Sequence, residues 1–594
     1  MSDRMTPVSF PEMLTGLTQE YRNYGTFCGV PVIREAIKLL IGPAAGPHTQ
    51  LAGNIVAAYA AGATCYELKT VQILEGEELN IKKPCIYVGH EVYNTEWSTE
   101  LTAEQAGNEY IKAYLLIKVL SREFNLREAG NLHFIISVGY DYEGIRSPKI
   151  DAFLNNMLRA SGTGEWQEDI AYLKEHVHEF QNLTLEDIRR IEEADEISDT
   201  AALSTMHGCE SSQIAKIAVY LIEEKGLNTF IKLNPTLAGR EEIRKLFDKK
   251  GYHGIDYPEE IFDKDIDLDT AVRIIRSCKE AADRRKKIFG VKMTNTFPVR
   301  AGKQKPNGEK LNAEKLNTEK LNAEEMYLSG PALYPIALRA ASLLAERLGE
   351  DIPISYSGGA DDTNILDLFA AGLHSVTVSS MLLKPGGYKN LSRLVKRCIG
   401  LRYNQPAGDK GNRIKAYDED DKENKGNKGN EGNKGNEENK GNKKEHTAGS
   451  AVNIEKLRQL SQEAIRDKHY NYAPPRHYEL KQPYDNLCAR CSNCTDVCPN
   501  RANIRLETGA GRYVIHRDRL CNECGCCVFS CIMGHNPYRE KLTLFETEEA
   551  YMESGNDGVL YMGDVLRYRR NGAEEPVPGY VKELIFTARE RGKL

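Results

Sequence analysis

The sequence predicts an α/β fold, a (β/α)8 barrel, followed by a disordered linker and a small α+β module built around cysteines. Three observations carry that prediction. Apolar strand-like runs alternate with helical patterns across the first 400 residues, a tract of almost pure charge, asparagine and glycine occupies 418–444, and nine of the 15 cysteines fall between Cys488 and Cys531. A chain of 594 residues exceeds one ordinary core, so two to four domains are expected.

In the large unit, residues 1–405, the strand candidates are 63–71, 131–139, 201–207, 228–234, 289–296, 352–358 and 374–380. These runs are apolar and β-branched without clean alternation, as strands covered on both faces are. Helical patterns lie between them at 106–124, 186–198 and 332–349. Strand followed by helix, repeated over a unit of this size, favours a closed barrel over an open sheet. An exposed insert at 302–325 interrupts it; its repeat GEKLNAEKLNTEKLNAEE has little to bury.

The linker, 406–450, cannot repay the entropy of ordering and is expected to be a disordered tether. A helical connector follows at 451–483, then the cysteine module at 484–545. The extension 546–594 contains GVLYMG and YVKELIFTARERG, which are expected to pack on that module.

With 86 acidic and 79 basic residues the net charge is −7, which gives no sign of a dedicated nucleic-acid or anionic-membrane partner. MSDRMTPVSFPEMLTG lacks the basic region and apolar core of a signal peptide, and no apolar run approaches a membrane span. A cytoplasmic location is the expectation, and it disfavours disulfides.

The stretch CARCSNCTDVCPN places Cys488, Cys491, Cys494 and Cys498 in C-x2-C-x2-C-x3-C spacing. LCNECGCCVFSCIMG repeats the spacing with Cys521, Cys524, Cys527 and Cys531, leaving Cys526 over. A structural zinc site more often pairs two CxxC elements across a longer loop. Two successive 2-2-3 arrays are what a pair of [4Fe–4S] clusters needs, three cysteines wrapping one cluster and the fourth crossing to the other. The expected sets are Cys488, Cys491, Cys494 and Cys531 for one cluster, and Cys521, Cys524, Cys527 and Cys498 for the second, the pattern of a bacterial-type 2[4Fe–4S] ferredoxin. Cys526 reads as a small buried hydrophobe. Ile532 stands where the first array has Pro499.

In a barrel of this kind the functional residues sit at the C-terminal strand ends, with a phosphate commonly docked on the last two loops. Gly358 and Gly359 follow a strand directly and would let backbone amides approach a phosphate; a tight turn is the plain alternative. LIGPAAGPHTQ (40–50) offers small residues suited to a flat ring, and a simple loop reads equally well. Lys69, Lys232 and Lys292 lie inside apolar runs, where a lysine needs an answering anion or acceptor. With Asn234 and Asn295 they would surround the N1–C2 carbonyl edge of a flavin, unless some pair with Glu67 or Glu96. A GxGxxG strand–turn–helix is missing, so an internal NAD(P)H or FAD Rossmann site is not indicated.

GPAAGP, ELKTVQ, FIKLNP, MTNT, YSGGAD and SVTVSSMLLKPGGY resemble the FMN barrel of the dihydroorotate and dihydropyrimidine dehydrogenases. Together with EVYNTEWSTE, MHGCE and CNECGCCVFSC they resemble more closely the family named for selenate reductase. That resemblance implies FMN, with Ala44, Ala45 and Gly46 lining its ring. It implies Lys69 and Lys232 in contact with the flavin, Asn295 near flavin or substrate, and Gly358, Gly359, Ser379 and Ser380 on the phosphate. Members of the family carry a glutamate-synthase-like FAD/NADPH region between barrel and ferredoxin module; here the tether and a short helix take its place. The implied partners are an FAD/NAD(P)H-binding or molybdenum-containing subunit, or a soluble electron carrier.

One departure concerns catalysis. Related dehydrogenases place a catalytic Cys or Ser, in an N-x-S-C-P-like loop, at the end of the strand that here reads FIISVGYDYEGI (134–145), which has no cysteine and holds Ser137 within the strand. Proton delivery would fall to Tyr140 or Asp141, with His207 of MHGCE a third candidate; packing is the alternative for each. The expected function is an iron–sulfur flavoprotein oxidoreductase, or a subunit of one, passing electrons between FMN and two clusters. Its substrate would be a pyrimidine- or purine-like heterocycle, or it would feed a partner reductase. The alternative is an electron-transfer scaffold whose barrel has lost flavin and catalysis.

Overall fold

The computed structural model describes residues 5–79, 81–95, 98–127, 132–206, 209–253, 255–300, 325–400, 451–473, 488–508 and 511–591. Among these, eight short strands form one parallel sheet: β1 (Leu40–Pro43), β2 (Cys65–Glu67), β3 (His133–Gly139), β4 (Thr200–Ser204), β5 (Asn228–Leu233), β6 (Phe289–Met293), β7 (Ile354–Tyr356) and β8 (Ser375–Val378). Each strand from β2 to β8 pairs with the next in the chain, and β8 returns to β1 with Ser375 opposite Leu40. The ring closes where the Thr64 N–H donates to the Ile41 carbonyl at 2.8 Å and the Ile41 N–H donates to Thr64 Oγ1 at 3.0 Å. The fold is thus the (β/α)8 barrel expected.

Helices separate the strands. Ala52–Ala60 joins β1 to β2, Ala103–Glu123 precedes β3, Ile214–Glu223 precedes β5, Leu268–Arg285 precedes β6 and Leu333–Leu348 precedes β7. Local chemistry sets their ends. Thr102 and Gln105 cap the second of these reciprocally, each accepting the other's backbone N–H at 3.1 Å. β5 is buried at every residue, as a parallel strand sandwiched between core and helices must be. The seven strand candidates all contain observed strands; β1 escaped notice because only Leu40 and Ile41 are strand-like before Gly42 and Pro43.

Loops at the C-terminal end of the barrel build a second, antiparallel sheet from Ile86–Val88, Val92–Asn94, Phe297–Arg300 and Glu325–Ser329. Phe297 pairs with Leu328 and Arg300 with Glu325, so the strands flanking the 302–325 repeat form a ladder. Apart from Glu325, that repeat lies outside the described residues, as does the 406–450 linker.

The C-terminal region is α+β. Strands β9 (Asn503–Thr508), β10 (Gly511–Arg517), β11 (Leu542–Phe545), β12 (Gly558–Met562), β13 (Val565–Arg570) and β14 (Ala573–Glu575) form one mixed sheet in that order. Helix Gly579–Glu590 closes over it, and Val581, Leu584 and Ile585 bury against Leu506, Ile515, Leu544 and Val559. The sheet runs unbroken through residue 545, so the extension shares a core with the cysteine segment. The connector helix Ile454–Arg466 lies back on the barrel, where Tyr470 stacks on Tyr334 with centroids 4.5 Å apart.

A buried amide chain joins the two units. Gln50 donates to Asn500 Oδ1 at 3.1 Å, Asn500 to Asn522 Oδ1 at 2.8 Å, and Asn522 to Glu100 Oε1 at 2.6 Å. The Thr6 N–H donates to the Arg519 carbonyl at 2.7 Å. No described helix is long and apolar enough to cross a membrane.

Barrel closure depends on Gly42, where a Cβ would fall 1.7 Å from the Cys65 carbonyl oxygen. G42A is therefore expected to cost about 3 kcal/mol or more, at the upper end of overpacking effects, because backbone must move. G164A, with nothing within 4 Å of its added Cβ, serves as the control. Urea midpoints that are the same for both variants would refute this account of closure.

Candidate functional site

Inside the barrel, the carboxylate of Glu67 is completely buried and faces two ammonium groups, Lys292 at 2.6 Å and Lys232 at 2.9 Å. It also accepts the Ala45 N–H at 3.0 Å. Burial alone would raise its pKa, but the two lysines and that amide hold it at about 2, so it is ionised. Lys292, wholly buried, is pressed below the ordinary lysine value by burial despite Glu67, since one carboxylate cannot fully offset two ammoniums. Its Nζ also donates to Thr377 Oγ1 at 2.7 Å. The core ion pairs weighed for these lysines are thus present, and both converge on Glu67.

Above this cluster opens a cleft of about 970 Å³, counted out to solvent. It collects residues from seven of the eight strand ends: Ala44, Ala45 and Gly46 after β1, Lys69 after β2, Ser204 at β4, Lys232 at β5, Asn295 after β6, Gly359 after β7, and Ser379 and Ser380 after β8. Nine of the ten residues expected to hold a cofactor line it. The tenth, Gly358, lies beside it against the preceding helix, its absent Cβ 2.2 Å from Ala337 Cβ. Gly359 has φ +73° and would place a Cβ 2.7 Å from the Gly330 carbonyl oxygen, so backbone alone fits there. Asn295 donates to Asn234 Oδ1 at 2.7 Å and to the Lys232 carbonyl at 3.2 Å, and Asn234 donates to Asp265 at 2.9 Å, tying three loops together.

Sequence reasoning passed over Thr294, Tyr327 and Ser329, which also line the cleft. Thr294 Oγ1 is buried with no protein hydrogen-bond partner. Its place in the MTNT stretch was a usable signal; Tyr327 and Ser329 arrive through the antiparallel sheet, which no local pattern announces.

The strand end that contributes nothing to the cleft lining is that of β3. Tyr140 has φ +111°, and its ring lies beside Gly144. Asp141 caps the short helix Tyr142–Ile145, accepting the Gly144 N–H at 2.7 Å. Ser137 is turned inward, its Oγ 2.8 Å from Thr70 Oγ1. His207 lies outside the described residues; nearby, burial pushes the Cys209 thiol to about 12.

The cysteine arrays repeat in backbone as well as spacing. Cys488, Cys491, Cys494 and Cys498 answer to Cys521, Cys524, Cys527 and Cys531, thirty-three residues on. At the same offset, left-handed residues recur: Arg490 and Glu523, Ser492 and Gly525, Arg501 and Gly534. One-turn helices follow at Asn493–Asp496 and Cys526–Phe529. Such alternation points successive N–H groups inward, a concavity suited to anionic groups, iron–sulfur sites included. Amides of Arg490, Glu523 and Ala502 donate to the sulfurs of Cys488, Cys521 and Cys498 at 3.2–3.3 Å.

Burial raises Cys494 to about 12, with Cys488, Cys491 and Cys531 adding to the shift. Burial likewise raises Cys527, with Cys524, Cys498, Cys521 and Cys494 adding to the shift. Among the described residues no three potential ligands close around a single metal ion. A cube is larger than an ion and spaces its thiolates more widely, so these groupings and that absence are compatible. Cys526 is buried in an apolar cluster with Ile86, Val497 and Tyr538.

That cluster meets the cleft. Ile86, Val92 and Leu383 line the cleft and also bury against Cys494, Cys524 and Cys527. The N–H groups of Cys85 and Ile86 donate to the Cys524 carbonyl at 3.1 and 2.8 Å.

A TIM barrel with a lysine-rich cleft at its C-terminal face is the class of protein that the fold and the site define. Residues 19–429 match the family described as "Oxidoreductase YgfK, N-terminal TIM-barrel domain", and the chain belongs to that oxidoreductase family. The matched segment ends before the cysteine module. The chain is 38% identical over 426 residues to the proteins described as "Putative oxidoreductase YgfK" in Escherichia coli K12 and O157:H7, covering 67% of this chain and 39% of each relative. It therefore spans well under half the length of these relatives.

Folding takes Glu67 from its ordinary 4.5 to about 2, so its stabilisation is complete above about pH 4.5 and is lost as the pH falls through about 2. E67Q leaves two buried ammoniums uncompensated and is expected to cost about 3–5 kcal/mol. Urea midpoints measured between about pH 2 and 7 should show a lower plateau and a shallower acid decline in the variant. Curves that superimpose would sink this assignment.

Proposed function

We propose that the chain is an iron–sulfur flavoprotein oxidoreductase subunit, with FMN in the barrel cleft and two [4Fe–4S] clusters on the eight cysteines. When bound, FMN exchanges electron pairs with a substrate and the clusters carry electrons singly. The observation that carries this reading is the wall shared by cleft and module, to which Ile86, Val92 and Leu383 belong on both sides.

The residues present suit these groups. The floor of the cleft sets two ammoniums, Lys232 and Lys292, on the one carboxylate of Glu67, with Lys69 also lining the cleft, which favours an electron-rich ring edge. Ala44, Ala45 and Gly46 leave room for a flat face, and the orphaned Thr294 hydroxyl awaits a polar partner. Gly358, Gly359, Ser379 and Ser380 are proposed to take a phosphate, with Asn295 toward flavin or substrate. On the module, Cys488, Cys491, Cys494 and Cys531 would hold one cluster and Cys521, Cys524, Cys527 and Cys498 the other, with backbone amides stabilising the thiolates.

The proposed substrate is a pyrimidine- or purine-like heterocycle, with electrons exchanged with an FAD/NAD(P)H-binding or molybdenum-containing partner, or with a soluble carrier. A second reading, an electron-transfer scaffold without substrate chemistry, is favoured by one observation: Tyr140 and Asp141 sit at the strand end that contributes nothing to the cleft lining.

Anaerobic purification followed by metal, sulfide and flavin analysis is expected to find about eight irons, about eight sulfides and about one FMN per chain. Clusters without flavin would select the scaffold reading. Zinc without sulfide would overturn the cluster assignment.

A further inference from the structure

We infer that the protein exchanges electrons with an acidic one-electron carrier protein, which docks on a basic rim around Cys491. This rests on the iron–sulfur reading above and extends it to a partner and a surface. The two sets of cysteines differ in depth. In the set containing Cys524, whose carbonyl is bound to the cleft wall, Cys498, Cys524 and Cys527 are buried and Cys521 is half-buried. In the other set only Cys494 is buried; Cys491 is exposed, and Cys488 and Cys531 are half-buried. The first set is therefore the inner station, against the barrel, and the second is the outer one, where electrons meet solvent and partner.

The outer station is ringed by positive charge. Arg490 immediately precedes Cys491 in the turn, and its guanidinium lies against Gly511 without a carboxylate partner among the described residues. Arg505 reaches Ser492 Oγ at 3.5 Å, and Arg512 donates to the Arg490 carbonyl at 3.4 Å. Arg591 donates to the Glu507 carbonyl at 2.6 Å. The Glu507 side chain pairs with both Arg505, at 3.7 Å, and Arg512, at 3.1 Å. Lys541 adds a cation near Cys494.

Arg505 and Arg512 are 41% and 45% exposed, so their charge faces outward. On a chain of net charge −7 this local excess is not a property of the surface at large. Its span, from the first cysteine turn across the β9–β10 hairpin to the end of the last helix, suits a protein face rather than a small ion. Such a field steers and orients an oppositely charged partner and fails at high salt.

The test uses the anaerobically purified full chain and an acidic plant-type [2Fe–2S] ferredoxin as the probe. Binding is measured by calorimetry, and cluster reduction by stopped flow, at low and high salt. R505Q/R512Q is expected to weaken binding and slow reduction by about tenfold at low ionic strength, with the wild-type values falling toward those of the variant as salt rises. Iron content and the EPR signal of the dithionite-reduced variant should match wild type. Equal binding by the two proteins, or wild-type binding indifferent to salt, overturns the docking surface. Wild-type protein without cluster iron or EPR signal overturns the cluster reading itself, before any carrier is added. Should the double variant lose iron, the salt dependence of the wild-type protein decides the matter.

Discussion

One carboxylate organises the interior of the barrel. Glu67 ends β2, meets lysines from β5 and β6 and receives an amide from the loop after β1, so four of the eight units are joined through it. A parallel barrel core is ordinarily filled by branched aliphatic side chains. Here its upper layer is ionic, and it persists only because each charge is answered within hydrogen-bond range. The floor of the cleft is consequently rigid, and it is cationic on balance.

Much of the fold was legible from residue pattern. Buried parallel strands announce themselves as unbroken apolar runs, and seven of the eight did so. β1 did not, because a strand that passes its neighbour at backbone contact needs glycine there, and Gly42 followed by Pro43 reads locally as a turn. Site residues were legible in proportion to how locally they act. Lys69 and Lys232 stood out as charges in apolar runs, and the glycines as punctuation after strands. Thr294 and Tyr327 act through tertiary placement that no window of sequence contains. Tyr140 and Asp141 were placed correctly at a strand end, but which strand ends converge on a cleft is set by loop packing, and the loop after β3 turns aside.

The union of barrel and module has the same character. The spacing of eight cysteines is a local pattern and was read as one. That the two arrays meet different surroundings could not be read, because both carry the same signature. The asymmetry comes from Ile86, Val92 and Leu383, supplied from elsewhere in the chain, and from the buried amide chain that runs from Gln50 to Glu100. Two equivalent halves thereby acquire unequal surroundings, and surroundings are what set the potential of a cluster.

The helix Gly579–Glu590 closes the apolar face of the sheet to which the cysteine turns are joined. Until Val581, Leu584 and Ile585 have been synthesised, Leu506, Ile515, Leu544 and Val559 have no cover, and the frame that supports the cysteine turns is incomplete. Completion of that frame is in this sense deferred to the end of translation. A nascent chain halted after its last cysteine, Cys531, would carry every cysteine of both arrays and yet lack the sheet and helix that hold their turns in place.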